Sequence, residues 1–459
     1  MATKTTIQSI NPATGKPVKS YELLDKKQLF TKIEATHEAQ AGWSDTNFGF
    51  RQNLMMAAAQ ALRERQNEYA MLMVEEMGKP ISDARAEVEK CAWACEYYAK
   101  NTAQFLADED VVTDAKKSLV SFQPLGVVLA VMPWNFPFWQ VFRFAAPALM
   151  AGNGALLKHA SNVPGCAAAI EELFENVGFP KGIFTNLYIP SKDVASVIRH
   201  PLVKAVTLTG SEPAGRSVAK VAGECLKKTV LELGGSDPYI VLADADIELA
   251  AETCKASRLI NAGQSCVSAK RFIVEAAVYD GFLKKFKEKM AAVDYGDPTD
   301  DETVMGPMAR KDLRDELHEQ VEKSIAAGAK CILGGKVPKK AGAFYPPTIL
   351  TDVKPGMPAY SEELFGPVAV VIKAKDEDDA IRIANDTDFG LGAAVFTTNE
   401  EKGFWIAKDK IQAGSCFVNS LVKSDPRLPF GGIKNSGYGR ELSHFGIREF
   451  VNIKTVWVR

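Results

Sequence analysis

GVVLAVM, residues 126–132, is the longest apolar run in the chain. It suits a buried strand and is far shorter than the ~20 residues that cross a bilayer. The same rhythm recurs in GALLKHA (154–160), IFTNLYIP (183–190), VKAVTLTG (203–210) and KKTVLELGG (227–235), each bounded by Gly, Pro or Ser. Helix-period patterns lie between most of these runs, at 138–150, 164–177, 191–199 and 214–224. Strand and helix alternating in this way predict an α/β fold, with a parallel sheet covered on both faces. In such sheets ligands bind at the carboxyl ends of the strands.

Towards the N-terminus the pattern changes. Residues 25–106 read as helical, most clearly where Ile81, Ala84, Val88, Cys91, Cys95, Tyr98, Thr102 and Phe105 recur at three- and four-residue steps. Residues 1–24 are polar, with a short extended piece around Asn11-Pro12 and Gly15. KKSLVSFQ (116–123) alternates as an exposed strand would. Towards the C-terminus a second α/β rhythm runs from Pro238 to about Val422. It includes PYIVLADAD, RFIVEAAV, a strand at 369–375 and a helix from Glu377 to Asn385. Gly-, Pro- and charge-rich stretches at 294–311 and 334–347 read as loops. The tail EFVNIKTVWVR alternates as a strand that needs a partner edge.

A chain of 459 residues implies two or three domains. Hydrophobic content of 46% with 24% charged residues is ordinary for a globular protein. A net charge of −2 gives neither a nucleic-acid footprint nor a polybasic membrane patch. The N-terminal residues carry no secretory or transit signal. Eight cysteines without CxxC spacing point away from a disulfide framework and a zinc site, so no metal is expected and a cytoplasmic setting fits best.

Four loops hold residues suited to chemistry. Cys266 sits in NAGQSCVSAKR (261–271), a run of small and polar residues where amides can approach a reacting oxygen. The thiolate is the reactive form of cysteine, and a free thiol ionises near pH ~8.5, so Cys266 needs local help. In Pro133-Trp134-Asn135-Phe136-Pro137 two prolines fix the turn and aim Asn135, a candidate oxyanion donor. Glu232, beside Leu233, Gly234 and Gly235 at a strand end, is a candidate general base. Glu363 and Phe365 lie in a loop closed by Pro367. The G-x-G-x-x-G fingerprint is absent. In its place Gly210-Ser211, with Gly215, opens a helix after a strand and can hold a phosphate on free amides.

Taken together these loops resemble the aldehyde dehydrogenase superfamily. The likeness runs from Asn11-Pro12-Ala13-Thr14-Gly15 to Pro429-Phe430-Gly431-Gly432-Ile433-Lys434 and Ser436-Gly437-Tyr438-Gly439-Arg440-Glu441. It implies two Rossmann-like parallel-sheet domains and a small β-strand oligomerisation arm. The cofactor-binding domain is expected at 1–106 and 125–234, the catalytic domain at 235–438, and the arm at 107–124 and 439–459. It implies Cys266 as the nucleophile, Glu232 as the general base, and Asn135 with the Cys266 amide as the oxyanion hole. Lys158 and Glu363 would hold the ribose hydroxyls of the cofactor, and Ser211, with Gly210, its pyrophosphate. Trp134 would line the site and, with Leu233, contact the cofactor, and Phe365 would pack near the nicotinamide. A homodimer or dimer of dimers is implied as well.

Ser161 stands where many NAD-dependent members of the family carry a glutamate that repels a 2′-phosphate. Either NAD or NADP is therefore expected, with Lys158 and His159 as candidate counter-charges. Arg143, eight residues after Asn135, suits a carboxylate on the far end of the aldehyde, and the chain is similar to short bacterial succinate-semialdehyde dehydrogenases. A second arginine found in some of those enzymes is Ile260 here; Ser424, Arg427 and Phe430 are candidate substrate contacts. Two alternatives stay open. One is a broader aldehyde dehydrogenase with Trp139, Phe142 and Phe144 lining an apolar tunnel, and the other is a non-catalytic structural member. Ser268, two residues past the nucleophile, leaves no C-x-C pair for a regulatory disulfide.

Overall fold

A computed structural model describes residues 5–459; the first four residues of the polar N-terminal stretch lie outside the described residues. Five parallel strands form the first large sheet, in the order Phe184–Asn186, Gly154–His159, Val127–Met132, Val203–Thr209, Lys228–Glu232. The first strand in sequence, Val127–Met132, lies in the centre, and the chain winds outward from it in both directions. The change of direction between Val127–Met132 and Val203–Thr209 opens a crevice at the carboxyl ends, where such sheets bind ligands.

Side-chain alternation explains why the strands are continuous apolar runs. Val128, Ala130 and Met132 enter one core with Ala155 and Leu157, while Val127 and Leu129 enter another with Leu156. Both faces are covered, so neither parity can be polar. The first core is closed by the expected helical region. Within helix Ile81–Phe105 the three- and four-residue steps from Ile81 to Thr102 are all buried, and only Phe105 remains half-exposed.

The second sheet is ordered Lys330–Leu333, Thr348–Thr351, Val368–Ala374, Arg271–Glu275, Pro238–Val241, Gly392–Phe396, Ser415–Val418. Its pairs are parallel except the first. Here too the two faces feed separate cores, Ile240 on one side and Tyr239 with Val241 on the other. Ser415–Val418 is an edge strand whose four residues are half-buried.

A third sheet pairs the tail strand Val451–Val458 with Lys117–Pro124 along its whole length, and Glu109–Asp110 with the far side of Lys117–Pro124. Both alternating stretches of the expected arm are thus in one sheet. Gly437–Tyr438 departs from the expected division. It pairs antiparallel with Glu232 and Leu231, so the end of the region 235–438 completes the first sheet rather than the second.

Candidate active site

The crevice is where the two large sheets face one another. The first sheet contributes loops after its strand ends. The second contributes the loop before Arg271–Glu275, which carries Cys266, and the loop before Val368–Ala374, which carries Glu363 and Phe365. They meet directly. Asn135 donates from Nδ2 to the Gln264 carbonyl at 3.1 Å, the Gly235 N–H donates to Glu363 at 3.0 Å, and the Trp134 and Phe365 rings pack edge to face with centroids 5.8 Å apart.

Cys266 is delivered by an unusual turn. Asn261, Ala262 and Gly263 have φ of 53°, 54° and 75° in succession, a left-handed stretch disfavoured for residues with a Cβ. It is held from several sides. Asn261 Nδ2 donates to the Asn135 carbonyl at 2.7 Å, Gln264 Nε2 donates to the Asn261 carbonyl at 3.0 Å, and Gln264 Oε1 accepts from the Ala309 N–H at 2.9 Å. A Cβ on Gly263 would lie 2.2 Å from the Gly366 carbonyl oxygen, so only glycine lets the Cys266 loop reach the Glu363 loop.

The Cys266 thiol is pushed up to about 11, chiefly by burial, with Arg143 and Lys270 pulling it down. Lys270 was not a candidate from the sequence, although it lies in the same stretch. It is 1% exposed, and its ammonium donates to the carbonyls of Ser265 at 3.0 Å and Cys266 at 2.7 Å and pairs with Glu363 at 3.1 Å. Glu363, expected at the cofactor ribose, therefore has its carboxylate turned onto Lys270 and Gly235.

Asn135 lies at the thiol loop as expected. A further cap fixes its turn: buried Glu87, paired with Lys79, accepts from the N–H groups of Phe138 and Trp139 at 2.9 Å each. That satisfies free donors at the start of helix Trp139–Met150, which follows Asn135. His159 braces the same turn. Its ring lies 2.9 Å from the Pro137 carbonyl and 3.2 Å from that of Met132, and burial lowers it to about 4. His159 is therefore neutral at ordinary pH, which corrects its reading as a counter-charge for a 2′-phosphate.

Glu232 is 2% exposed, and both its carboxylate oxygens lack a hydrogen-bond partner among the described residues. It is raised well above the usual carboxylate range, first by burial, then by Glu441. A Cβ on Gly431 would lie 2.6 Å from Glu232 Oε1, so this glycine leaves the room the carboxyl occupies.

For a dinucleotide the donors fit. Lys158 is 7% exposed and, among the described residues, its ammonium has only Ser191 Oγ, at 3.5 Å, as partner. Ser211 caps helix Glu212–Glu224 but its hydroxyl makes no capping bond, leaving the helix N-terminus to an anion. A Cβ on Gly215 would meet Leu233 at 2.6 Å, so Leu233 seats against that first turn and Gly210 opens beside it. Ser161 is exposed and uncharged beside this end of the sheet.

A cavity of about 270 Å³ adjoins the thiol, and Arg143, Ser424, Phe430, Trp139 and Ile260 line it with Cys266. Arg143 is not free there. It is 2% exposed, is ion-paired with buried Glu441, and lies over the Phe430 ring at 4.7 Å. Arg427 does not reach the cavity; it is exposed and forks onto Asp425 at 2.6 and 2.9 Å. Phe142 and Phe144 are buried in the helix packing rather than in the cavity wall. Lys90, from helix Ile81–Phe105, lines the wall and was not a candidate from the sequence.

A half-buried thiol beside a cavity, in a loop that Asn135 contacts, together with a buried carboxyl and a dinucleotide-type strand-end crevice, fits a thiol-dependent oxidoreductase. The chain belongs to the aldehyde dehydrogenase family, whose model matches residues 1–456. Among its relatives, a probable succinate-semialdehyde dehydrogenase [NADP(+)] of Synechocystis is 50% identical over 452 residues, 98% of this chain and 99% of that one. A succinate semialdehyde dehydrogenase [NAD(P)+] of Escherichia coli is 46% identical over 449 residues, 98% and 97% of the two chains. The crystal structure of succinic semialdehyde dehydrogenase from Streptococcus pyogenes with NADP+ matches with a TM-score of 0.96 and 39% identity, covering 98% of this chain and 99% of that one.

Proposed function

We propose that this protein oxidises succinate semialdehyde to succinate, with NADP or NAD as the acceptor, by covalent catalysis at Cys266. The observation that carries the reading is the juxtaposition of that thiol with a small cavity whose walls hold Lys90 and the ion-paired Arg143. The names of relatives near 50% identity over almost the whole chain point the same way.

Cys266 loses its proton to solvent, and the thiolate Sγ attacks the aldehyde carbon to give a thiohemiacetal. Asn135 Nδ2, turned from the Gln264 carbonyl, and the Cys266 N–H stabilise its oxyanion; one such donor contributes roughly 10²–10³ in rate. The bound nicotinamide supplies the hydride acceptor. Loss of hydride from the carbon leaves a thioester on Cys266. Glu232 then takes a proton from water as its oxygen adds to the thioester carbonyl, releasing the acid and the thiol. Glu232 must swing from its place beside Gly431 to do so.

Ser161 supports use of NADP. Ser161→Glu is expected to lower kcat/KM for NADP by about tenfold or more, with NAD much less affected, because like charges repel at the 2′-position. Initial rates with both cofactors check this. A wild-type enzyme that rejects NADP would refute the role given to Ser161.

The arm supports self-association in a cytosolic enzyme whose eight cysteines are all free. Val451–Val458 is an edge strand presenting Ile453 at 61% and Trp457 at 49% exposure, and Ser415–Val418 is an open edge on the second sheet. In the proposed dimer the arm of one copy covers the other. Ile453→Lys with Trp457→Lys is expected to shift the protein to monomer in light scattering. An unchanged mass would remove the arm from the interface.

A further inference from the structure

The two cations that line the thiol cavity from helices are in different electrical states. Arg143 is neutralised by Glu441, with the two side chains 2% and 4% exposed. Lys90 has no such partner: among the described residues no carboxylate lies within 4.0 Å of its ammonium. It donates instead to Ser424 Oγ at 2.9 Å and lies 4.4 Å from the centroid of the Trp139 ring. Both neighbours are uncharged.

The nearby acids are committed elsewhere. Glu87 holds Lys79 and two backbone N–H groups, and Asp425 is forked by Arg427. Asp83 and Lys423 also line the cavity with opposite signs; burial raises the Asp83 carboxyl, and it makes no ion pair with Lys90 among the described residues. An enclosed ammonium without a counter-ion costs free energy, and a ligand carboxylate would remove that cost. We propose that Lys90, together with Ser424, binds the far carboxylate of the substrate and sets the preference for an ω-carboxylated aldehyde over a plain one. This rests on the function proposed above.

The chemistry is a two-point clamp. Lys90 donates to one carboxylate oxygen. Because Ser424 Oγ already accepts from Lys90, its O–H is left to donate to the other oxygen. Ile260 and Phe430 give the methylene chain an apolar wall. Arg143, with its charge met by Glu441, helps set the field at the thiol rather than supplying the free cation. Truncating Arg143 would also strip Glu441 of its partner beside Glu232, so Lys90 is the cleaner position to change.

The test compares kcat/KM for succinate semialdehyde and for butanal, an uncharged aldehyde of the same length, at saturating NADP. Wild type is expected to favour the semialdehyde. In Lys90→Met the semialdehyde-to-butanal ratio should fall about 10–100-fold, mainly through KM, as loss of one charge-assisted hydrogen bond predicts. Ser424→Ala should lower the ratio less, in the same direction. The ratio also carries a pH signature, since ionisation of the thiol and of Glu232 affects both aldehydes alike. Burial, then Arg143, lowers Lys90 to about 8, against Cys91, Glu87 and Asp425. Lys90 is charged below that pH and neutral above it, so the wild-type ratio should decline above about pH 8, and Lys90→Met should show no decline.

Removing an enclosed cation without a counter-ion should hold or raise the Tm. An equal loss on both aldehydes, or an unchanged ratio, overturns the assignment of Lys90 while leaving the proposed function standing. A wild-type enzyme with no preference for the semialdehyde overturns that function, and this assignment with it. Should Lys90→Met fail to fold, Ser424→Ala decides: an unchanged ratio there overturns the clamp.

Discussion

Cys266→Ala is expected to abolish aldehyde oxidation, by roughly 10⁴–10⁶-fold, including the first turnover. The carbon that gives up hydride must first become tetrahedral with an oxyanion, and the sulfur of Cys266 makes it so. No other thiol can substitute. Cys91, Cys95, Cys166 and Cys254 are fully buried with raised pKa values, while Cys225, Cys331 and Cys416 lie outside the thiol cavity. The variant should bind NADP about as well as wild type, so the loss lies in chemistry. Stopped-flow absorbance of the reduced nicotinamide reads this directly, and a burst from Cys266→Ala would end the mechanism.

A second consequence concerns the resting thiol. Burial pushes it up to about 11, so at neutral pH the ligand-free enzyme holds Cys266 protonated. Its alkylation by iodoacetamide should be slow near pH 7 and rise about tenfold per pH unit up to about pH 10. The sign follows from the raised value: the thiolate fraction grows as pH climbs towards it. Arg143 and Lys270 oppose the effect of burial but do not cancel it.

The sequence reveals the frame of this site more readily than its charges. Strand ends after Met132, Thr209 and Glu232 are visible because a parallel sheet buried on both faces needs continuous apolar runs, and Gly, Pro or Ser marks where each run stops. The residues following those stops are the site residues, so Asn135, Ser211 and Leu233 could be placed by position alone. Charge states depend on partners distant in sequence. Arg143 looks like a free cation until Glu441, far along the chain, is seen against it. Lys90 looks like one more charged residue on an amphipathic helix, and its lack of a counter-ion is a fact of three-dimensional packing. His159 reads as a candidate cation, yet burial keeps it neutral against two backbone carbonyls that favour the charged form. In the left-handed turn Asn261 and Gly263 are residue types that tolerate such backbone, but Ala262 gives no signal, and the turn is held by hydrogen bonds from Asn261 to Asn135 and from Gln264 to Asn261.

Glu232→Gln is expected to separate the two halves of the reaction. The amide keeps the size of the side chain but cannot accept a proton from water, so acylation should proceed and hydrolysis should stall. The expected trace is a burst of about one reduced cofactor per active site, followed by a steady rate lower by about 10²–10⁴-fold. The environment of Glu232 adds a pH dependence with a definite sign. Burial and then Glu441 raise its pKa, with Arg143 and Arg440 pulling the other way. A raised carboxyl stays protonated over a wider range and becomes a base only as pH climbs through its folded value. Where hydrolysis limits the rate, kcat in wild type should therefore rise with pH, and that rise should be missing from the residual rate of Glu232→Gln. The Arg143–Glu441 pair sets where the rise falls: Glu441 pushes the base up, Arg143 holds it down, and neither depends on which aldehyde acylated Cys266. The Glu232 profile should thus be the same for succinate semialdehyde and butanal, unlike the Lys90 effect on their ratio. A Glu232→Gln enzyme that turns over normally, or that loses its burst together with its steady rate, would transfer the base role to another group.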